Sequence, residues 1–266
     1  MAELEGMAAF AASNGVGVSM GFNKNVSPYV LAALKAAAEI HCEAETGECA
    51  RVAFVHKNAY RPDQLAECFA RYHEGLLKNM AIHELALLVT YFGVRSDNLM
   101  EVTVDKECSS SQTLGGITDF ARVGFTVITA AGRSVSVFAD RCGDPGGLGS
   151  SEAVVTSHLG HEMLRSVAPD EALRRAVTDE MRRHPDWMPY FLVHAADYAA
   201  LKERVCRAVL TRDPEPKGVA SISVAIETLK LAEALKPRLM EQLSNTCGGA
   251  EAAAGGGGGW SPVAVF

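Results

Sequence analysis

Several clusters carry side chains of the types that do chemistry, and their spacing decides what each can do. His158-Leu159-Gly160-His161-Glu162 brings two histidines and a glutamate close together. A zinc helix of the metalloprotease kind needs its histidines four apart, with the glutamate beside the first, so that both imidazoles face one ion. Here the spacing is three and the glutamate follows the second histidine, so the segment reads as polar residues on an exposed helix. His41, Cys42, Cys49 and His56 are zinc-ligand types flanking one acidic connection. Their cysteines stand further apart than in a zinc knuckle, and small buried hydrophobes account for them better. Cys108-Ser109-Ser110-Ser111, followed by Gly115-Gly116, lacks the strand-to-helix elbow and the assigned base that a nucleophile needs. The glycines of 143–149 are not followed by a lysine-serine or lysine-threonine pair, so they form no phosphate loop. These patterns assign no catalytic residue, no cofactor and no metal.

The elements that position such residues are read from periodicity and punctuation. Residues 1–14 form a flexible or loosely helical lead-in, and 15–20 alternate as a short strand would. Ser27 as N-cap and Pro28 at the first helical position open a helix over 29–40, rich in alanine and leucine. A strand is predicted at 51–56 and a helix at 62–78 behind Pro62. The apolar run at 82–92 reads as a central strand, and 99–104 as its antiparallel return after the Arg95–Asn98 turn. A hairpin pairs 125–129 with 134–138 around Ala131-Gly132-Arg133. Helices follow at 151–166, 170–184 and 195–210, with a short strand at 190–194. A last helix covers 220–244, bent at Pro237.

The fold class expected is therefore α+β, an N-terminal β-α-β-α-β-β module with an added hairpin, followed by a mainly helical second half. Its divisions are a lead-in at 1–14, the module at 15–107, a hairpin plus helical domain at 108–245, and a glycine-rich mobile tail at 246–266. On the predicted helix over 170–184, Arg174, Arg175, Arg182 and Arg183 alternate with Asp179 and Glu180, the pattern of a solvated face.

The chain has 266 residues, 48% hydrophobic and 21% charged, enough to bury a substantial core. Its formal charge is −7, and residues 1–107 alone carry nine basic against fourteen acidic side chains. A surface built for phosphate backbones has the opposite sign on at least one face. No apolar run reaches the ~18 residues of a membrane span. The seven cysteines are an odd number without short paired spacing, which fits a reducing cytoplasmic or nuclear compartment.

The segment Asn23-Lys24-Asn25-Val26-Ser27-Pro28-Tyr29-Val30-Leu31-Ala32-Ala33-Leu34-Lys35 resembles the start of the Alba family of chromatin and RNA-binding proteins, and the predicted element order through 104 is similar. In that family the lysine of the first turn and a basic-glycine motif after the second strand grip phosphates. Lys24 matches the first position; the second reads His56-Lys57-Asn58-Ala59 and lacks the glycine. The resemblance implies that Lys24, Lys57 and Arg61 share one end of the sheet. Helix N-termini there would help hold an RNA backbone, while Tyr60 or Phe22 stacks on bases. The reading is thus a non-enzymatic binding or scaffold protein, with RNA, a protein partner or a second copy bound and no membrane contact. The 260–266 tail would serve as an anchor. The alternative is a small-molecule enzyme with a cleft between the two halves near 143–149, its catalytic residues unidentified.

Overall fold

The computed structural model describes residues 1–43, 50–130 and 132–245, with backbone only at 41–43. Helix α1 (Ala2–Ser13) leads, and a 3₁₀ turn at Asn23–Val26 delivers the chain into α2 (Pro28–Glu43). Strand β1 (Arg51–Lys57) precedes a second 3₁₀ turn at Pro62–Gln64, then α3 (Leu65–Arg71), α4 (Leu76–Asn79) and α5 (Ile82–Phe92). Strands β2 (Leu99–Leu114), β3 (Ile117–Thr129), β4 (Ser134–Asp140), β5 (Ser150–Thr156) and β6 (Glu162–Ala168) come next. Helices α6 (Glu171–Arg183), α7 (Pro189–Val193), α8 (Ala195–Thr211) and α9 (Ile222–Ser244) complete the described chain. No helix among the described residues is long and apolar enough to cross a membrane.

Among the described residues the strands form one six-stranded sheet in the order β2-β3-β4-β1-β5-β6. Only β1 and β4 run parallel; β2–β3, β3–β4, β1–β5 and β5–β6 are antiparallel. Helices α2, α5 and α9 cover one face. Their Val30, Ala33, Leu85, Leu88, Leu231 and Leu235 meet Val52, Phe54, Val137, Phe125 and Val155 in the main core. Each fully buried aliphatic side chain contributes about 1.5–3 kcal/mol by leaving water.

The fold is α+β, but the β-α-β-α-β-β layout is absent. Residues 15–20 form no strand beyond a single bridge from Ser19 to Ser221. The helix expected over 62–78 is broken at Gly75, where φ is +96° and an added Cβ would meet Lys236 and Asp119 within 3 Å. The run at 82–92 is helix α5, buried on several sides, ending at Gly93 in the left-handed conformation. A largely apolar segment of that length supports either period, and tertiary packing selects the helix. The helix expected over 151–166 is the β5–β6 hairpin, turned at Gly160 with φ +83° and built on β-branched Val154, Val155 and Thr156. The strand expected at 190–194 is the helical turn α7. Strand β2 runs through residue 107, so the sheet is continuous across the expected division there. The 246–266 tail, with its anchor, lies outside the described residues.

A buried ion pair fixes the far end of the sheet. Arg141, fully buried, donates to Asp119 at 2.8 Å, to the Phe120 carbonyl at 3.3 Å and to Cys68 Sγ at 2.9 Å. Asp119 also accepts the Leu76 N–H at 2.8 Å, which starts α4, and faces Lys236 at 3.4 Å. Removing Asp119 strands a buried guanidinium, so Asp119→Ala is expected to cost about 3–5 kcal/mol in urea unfolding. Lys236→Ala, on the more exposed partner, is expected to cost under about 1 kcal/mol. Equal losses for the two substitutions would exclude this division of labour.

Candidate functional site

A second polar cluster sits where β1 ends and β5 begins, under α5, α7 and α8. Its parts come from distant chain segments. In β1 the residues Val52, Phe54 and His56 share the helix-covered face, because side chains alternate along a strand. Ser151 occupies the same face of β5, paired opposite His56. Glu84 lies in the first turn of α5, near the positive end of the helix, where a carboxylate is favoured. The 3₁₀ turn at Asn23–Val26 inserts Asn23, Lys24 and Asn25, all fully buried.

Lys24 is the centre of the cluster. Its Nζ donates to Glu84 Oε1 at 2.5 Å and to Ser151 Oγ at 2.9 Å. The other oxygen of Glu84 meets His56 Nδ1 at 3.3 Å. Burial alone would raise the Glu84 pKa, but the Lys24 ammonium and His56 outweigh it and hold the carboxyl below the usual carboxylate range. His56 is lowered from its ordinary 6.5 by burial and by Lys24. Burial, then Glu84, pushes the Tyr29 phenol well above its ordinary 10.0. The cluster therefore holds an ionised Lys24–Glu84 pair among groups kept neutral.

Around this pair stands a ring of hydrogen-bonding residues. Tyr190 Oη lies 3.3 Å from His83 Nε2, and its ring is tilted against His194 with centroids 4.6 Å apart. His194 Nδ1 is 3.0 Å from Asp197 Oδ2, which also accepts the Ser27 hydroxyl at 2.5 Å. The Ser27 side chain, expected to cap α2, thus ties that helix to α8; its carbonyl accepts the Val30 N–H. Phe22 stands edge-on to His83 with centroids 5.7 Å apart. Burial, then Lys24, pushes His83 down to about 3, so its imidazole is neutral at ordinary pH.

Four buried polar atoms here have no partner among the described residues: both side-chain atoms of Asn23, Oδ1 of Asn25 and Nδ1 of His83. An unpaired buried polar atom costs roughly 1–3 kcal/mol, so this concentration makes the cluster the candidate site.

The residues expected to hold nucleic acid are scattered. Lys24 is fully buried and paired. Lys57 pairs with Glu152 at 3.1 Å. Because Ser151 and Glu152 are consecutive in β5, Lys24 and Lys57 reach it from opposite faces of the sheet and share no rim. Arg61 pairs with Asp63 at 3.2 Å on the surface. Tyr60 is half-buried, its phenol raised by burial and by contact with Tyr72. Phe22 is buried against the cluster, unavailable for base stacking.

The histidines of 158–161 lie on the exposed β5–β6 turn, and no metal-holding group occurs among the described residues. The zinc set at His41, Cys42 and Cys49 lies outside the described side chains. Cys108 sits in β2 with its thiol pushed up by burial, the reverse of a nucleophile. The arginines of α6 pair with Asp179, Glu180 and Glu171 on its surface or reach Asp144, as a solvated face should. Sequence reasoning missed His83, Glu84, Tyr190, His194 and Asp197. The available signal was His83-Glu84, two polar residues interrupting an otherwise apolar run.

No protein-family model matches the chain, and no curated protein sequence matches it. Solved structures do. A myo-inositol dehydrogenase from Corynebacterium glutamicum is 19% identical with a TM-score of 0.54, covering 86% of this chain and 62% of its own. The apo scyllo-inositol dehydrogenase from Lactobacillus casei is 12% identical with a TM-score of 0.58, covering 90% and 66%. GenD2 from gentamicin A biosynthesis, in complex with NAD, is 15% identical with a TM-score of 0.59, covering 91% and 66%. The chain spans about two thirds of the length of these proteins. The fold is the one shared with these dehydrogenase structures, not an Alba-like module. That finding overturns the Alba resemblance, and with it the RNA-binding and scaffold readings.

The buried groups set a pH dependence. His56 and His83 both have folded values below the ordinary 6.5, so the unfolded chain takes up protons first as pH falls. Their contribution to stability is complete above 6.5 and declines below it, for His83 down to about 3. Each group adds a slope of about 1.4 kcal/mol per pH unit in that window. Glu84 acts in the same direction below its ordinary 4.5. Urea midpoints of wild type and His83→Gln, followed from neutral pH into mild acid, are expected to converge as the wild type loses this term. Parallel curves would rule it out.

Proposed function

We propose that this chain is the substrate-handling body of a small-molecule oxidoreductase, taking a cyclic polyol or sugar against the cluster of Lys24, His83 and Glu84. The observation that carries the reading is the gathering of unpartnered buried Asn23, Asn25 and His83 atoms around one ionised pair. A polyhydroxylated ligand offers several hydroxyls, each both donor and acceptor, and suits a set of mixed acceptors and amide hydrogens. The inositol dehydrogenases among the fold neighbours support the same class.

Each residue has a physical part in this. The neutral His83 presents Nδ1 to a ligand hydroxyl. Lys24, with two protons committed to Glu84 and Ser151, supplies positive potential in a medium of low dielectric. Glu84 keeps that ammonium in place and orients His56.

The described residues do not fit a dinucleotide. Such a cofactor rests on a strand that enters a helix through a glycine-rich turn, within a run of parallel strands. Here β1–β4 is the one parallel pair among the described residues, and β1 leads through Pro62 into a 3₁₀ turn. The chain's own chemistry is therefore ligand binding, exclusion of water and proton handling.

Isothermal titration of the full chain with myo-inositol and scyllo-inositol tests the reading. At least one is expected to bind, and His83→Ala to weaken it by about tenfold, the equivalent of ~1.4 kcal/mol. Absence of binding to wild type, or equal affinity in His83→Ala, would overturn it.

A further inference from the structure

We propose that His194, held in one tautomer by Asp197, is a second acceptor of the site and selects ligands that present a hydroxyl to its Nε2. The inference rests on the proposed function, since it takes the polyol to be bound beside His83.

The geometry fixes which nitrogen is bare. His194 Nδ1 lies 3.0 Å from Asp197 Oδ2, and the Ser27 hydroxyl donates to the same oxygen at 2.5 Å. A carboxylate oxygen only accepts, so the imidazole must bring its N–H to that contact. A neutral ring protonated on Nδ1 leaves Nε2 as an acceptor. Asp197 stands in the first turn of α8, where the helix end favours the carboxylate that does the orienting.

The structural task uses Nδ1 alone, joining the start of α8 to Asp197 and Ser27. Nε2 is left over. It has no hydrogen-bond partner among the described residues, and, unlike Nδ1 of His83, it is not sealed from solvent. The ring is otherwise buried, at 4% exposure. Its attachments bracket the cluster. On one side it lies against Tyr190, whose Oη is 3.3 Å from His83 Nε2. On the other, Asp197 is tied through Ser27 to the end of the 3₁₀ turn that carries Asn23 and Lys24. His194 thus puts a solvent-reachable acceptor at the rim of a cluster whose other unpartnered atoms are sealed.

Selectivity follows from desolvation. A ligand group that covers Nε2 displaces its water. A hydroxyl offsets that loss by donating, whereas a methylene leaves the nitrogen unsatisfied.

Two measurements on the full-length chain test this. Nitrogen-15 NMR of the unliganded protein is expected to show His194 as the Nδ1–H tautomer, and Asp197→Ala to lose that preference. Isothermal titration then compares myo-inositol with its mono-deoxy analogues. Deoxygenation at one carbon is expected to weaken binding about tenfold in the wild type and by about twofold or less in His194→Phe. An Nε2–H tautomer in the wild type, or deoxygenation losses that His194→Phe leaves unchanged at every carbon, would sink the inference while inositol binding stands. If neither inositol binds the wild type, the proposed function falls first and takes this inference with it.

Discussion

The contact between Lys24 and Glu84 is the constraint on which the site depends. A lone ammonium or carboxylate at 0–1% exposure would carry a desolvation penalty of several kcal/mol, and each ion here is tolerable only because of the other. Their union pins the 3₁₀ turn at Asn23–Val26 to the first turn of α5, and Ser151 adds the sheet as a third anchor. The Tyr91 hydroxyl closes the same turn from the other end of α5 by donating to the Asn25 carbonyl. Once the turn is fixed, Asn23 and Asn25 have no freedom to swing their amides toward solvent. The unpartnered atoms are thus a consequence of the ion pair, held in place by a stronger interaction than they forfeit.

The Arg141–Asp119 pair plays a comparable part elsewhere, with a different outcome. Arg141 finds acceptors at Asp119, the Phe120 carbonyl and Cys68, and its guanidinium also lies over the Phe69 ring at 5.4 Å. Asp119 spends one oxygen on the backbone N–H that opens α4. That cluster joins elements and leaves one buried oxygen without a hydrogen bond, Asp119 Oδ1, which faces Lys236 at 3.4 Å, whereas the Lys24 cluster leaves four polar atoms over. The contrast separates a structural ion pair from a candidate site more sharply than burial or charge alone, since both pairs are equally buried.

Local signals in the sequence were sufficient where one segment determines its own structure. Ser27-Pro28 opens α2, β1 and β4 lie where their β-branched runs predict, and Asp170 caps α6 by accepting the Leu173 N–H at 2.8 Å. They failed where distant partners decide. The apolar run of α5 has no period of its own to choose helix over strand, and its packing against α9 and the sheet makes the choice. The β5–β6 hairpin becomes legible only once β1 is known to offer β5 an edge. Lys24 was singled out for a reason of type and position, as a lysine in a turn before a helix. Its partner is sixty residues further along, and the sequence places no carboxylate near it. The same separation hid His83, Tyr190 and Asp197, which lie far apart in the chain.

Net charge argued rightly against a phosphate-binding surface, but it says little about the site itself. The −7 of the chain belongs to its surface, where most charges are paired at short range, as Arg182 is with Asp179 and Arg207 with Glu203. Such exposed pairs contribute little and are screened within about a Debye length. The potential inside the cluster is set instead by two buried charges and by neutral rings with few competing waters, where Coulomb terms are several times stronger than in water. A ligand taken up at His83, as proposed, would meet the field of Lys24 and Glu84, close and unscreened, and hardly that of the acidic exterior. An overall acidic protein and a site with a cationic centre are compatible, because burial uncouples the two.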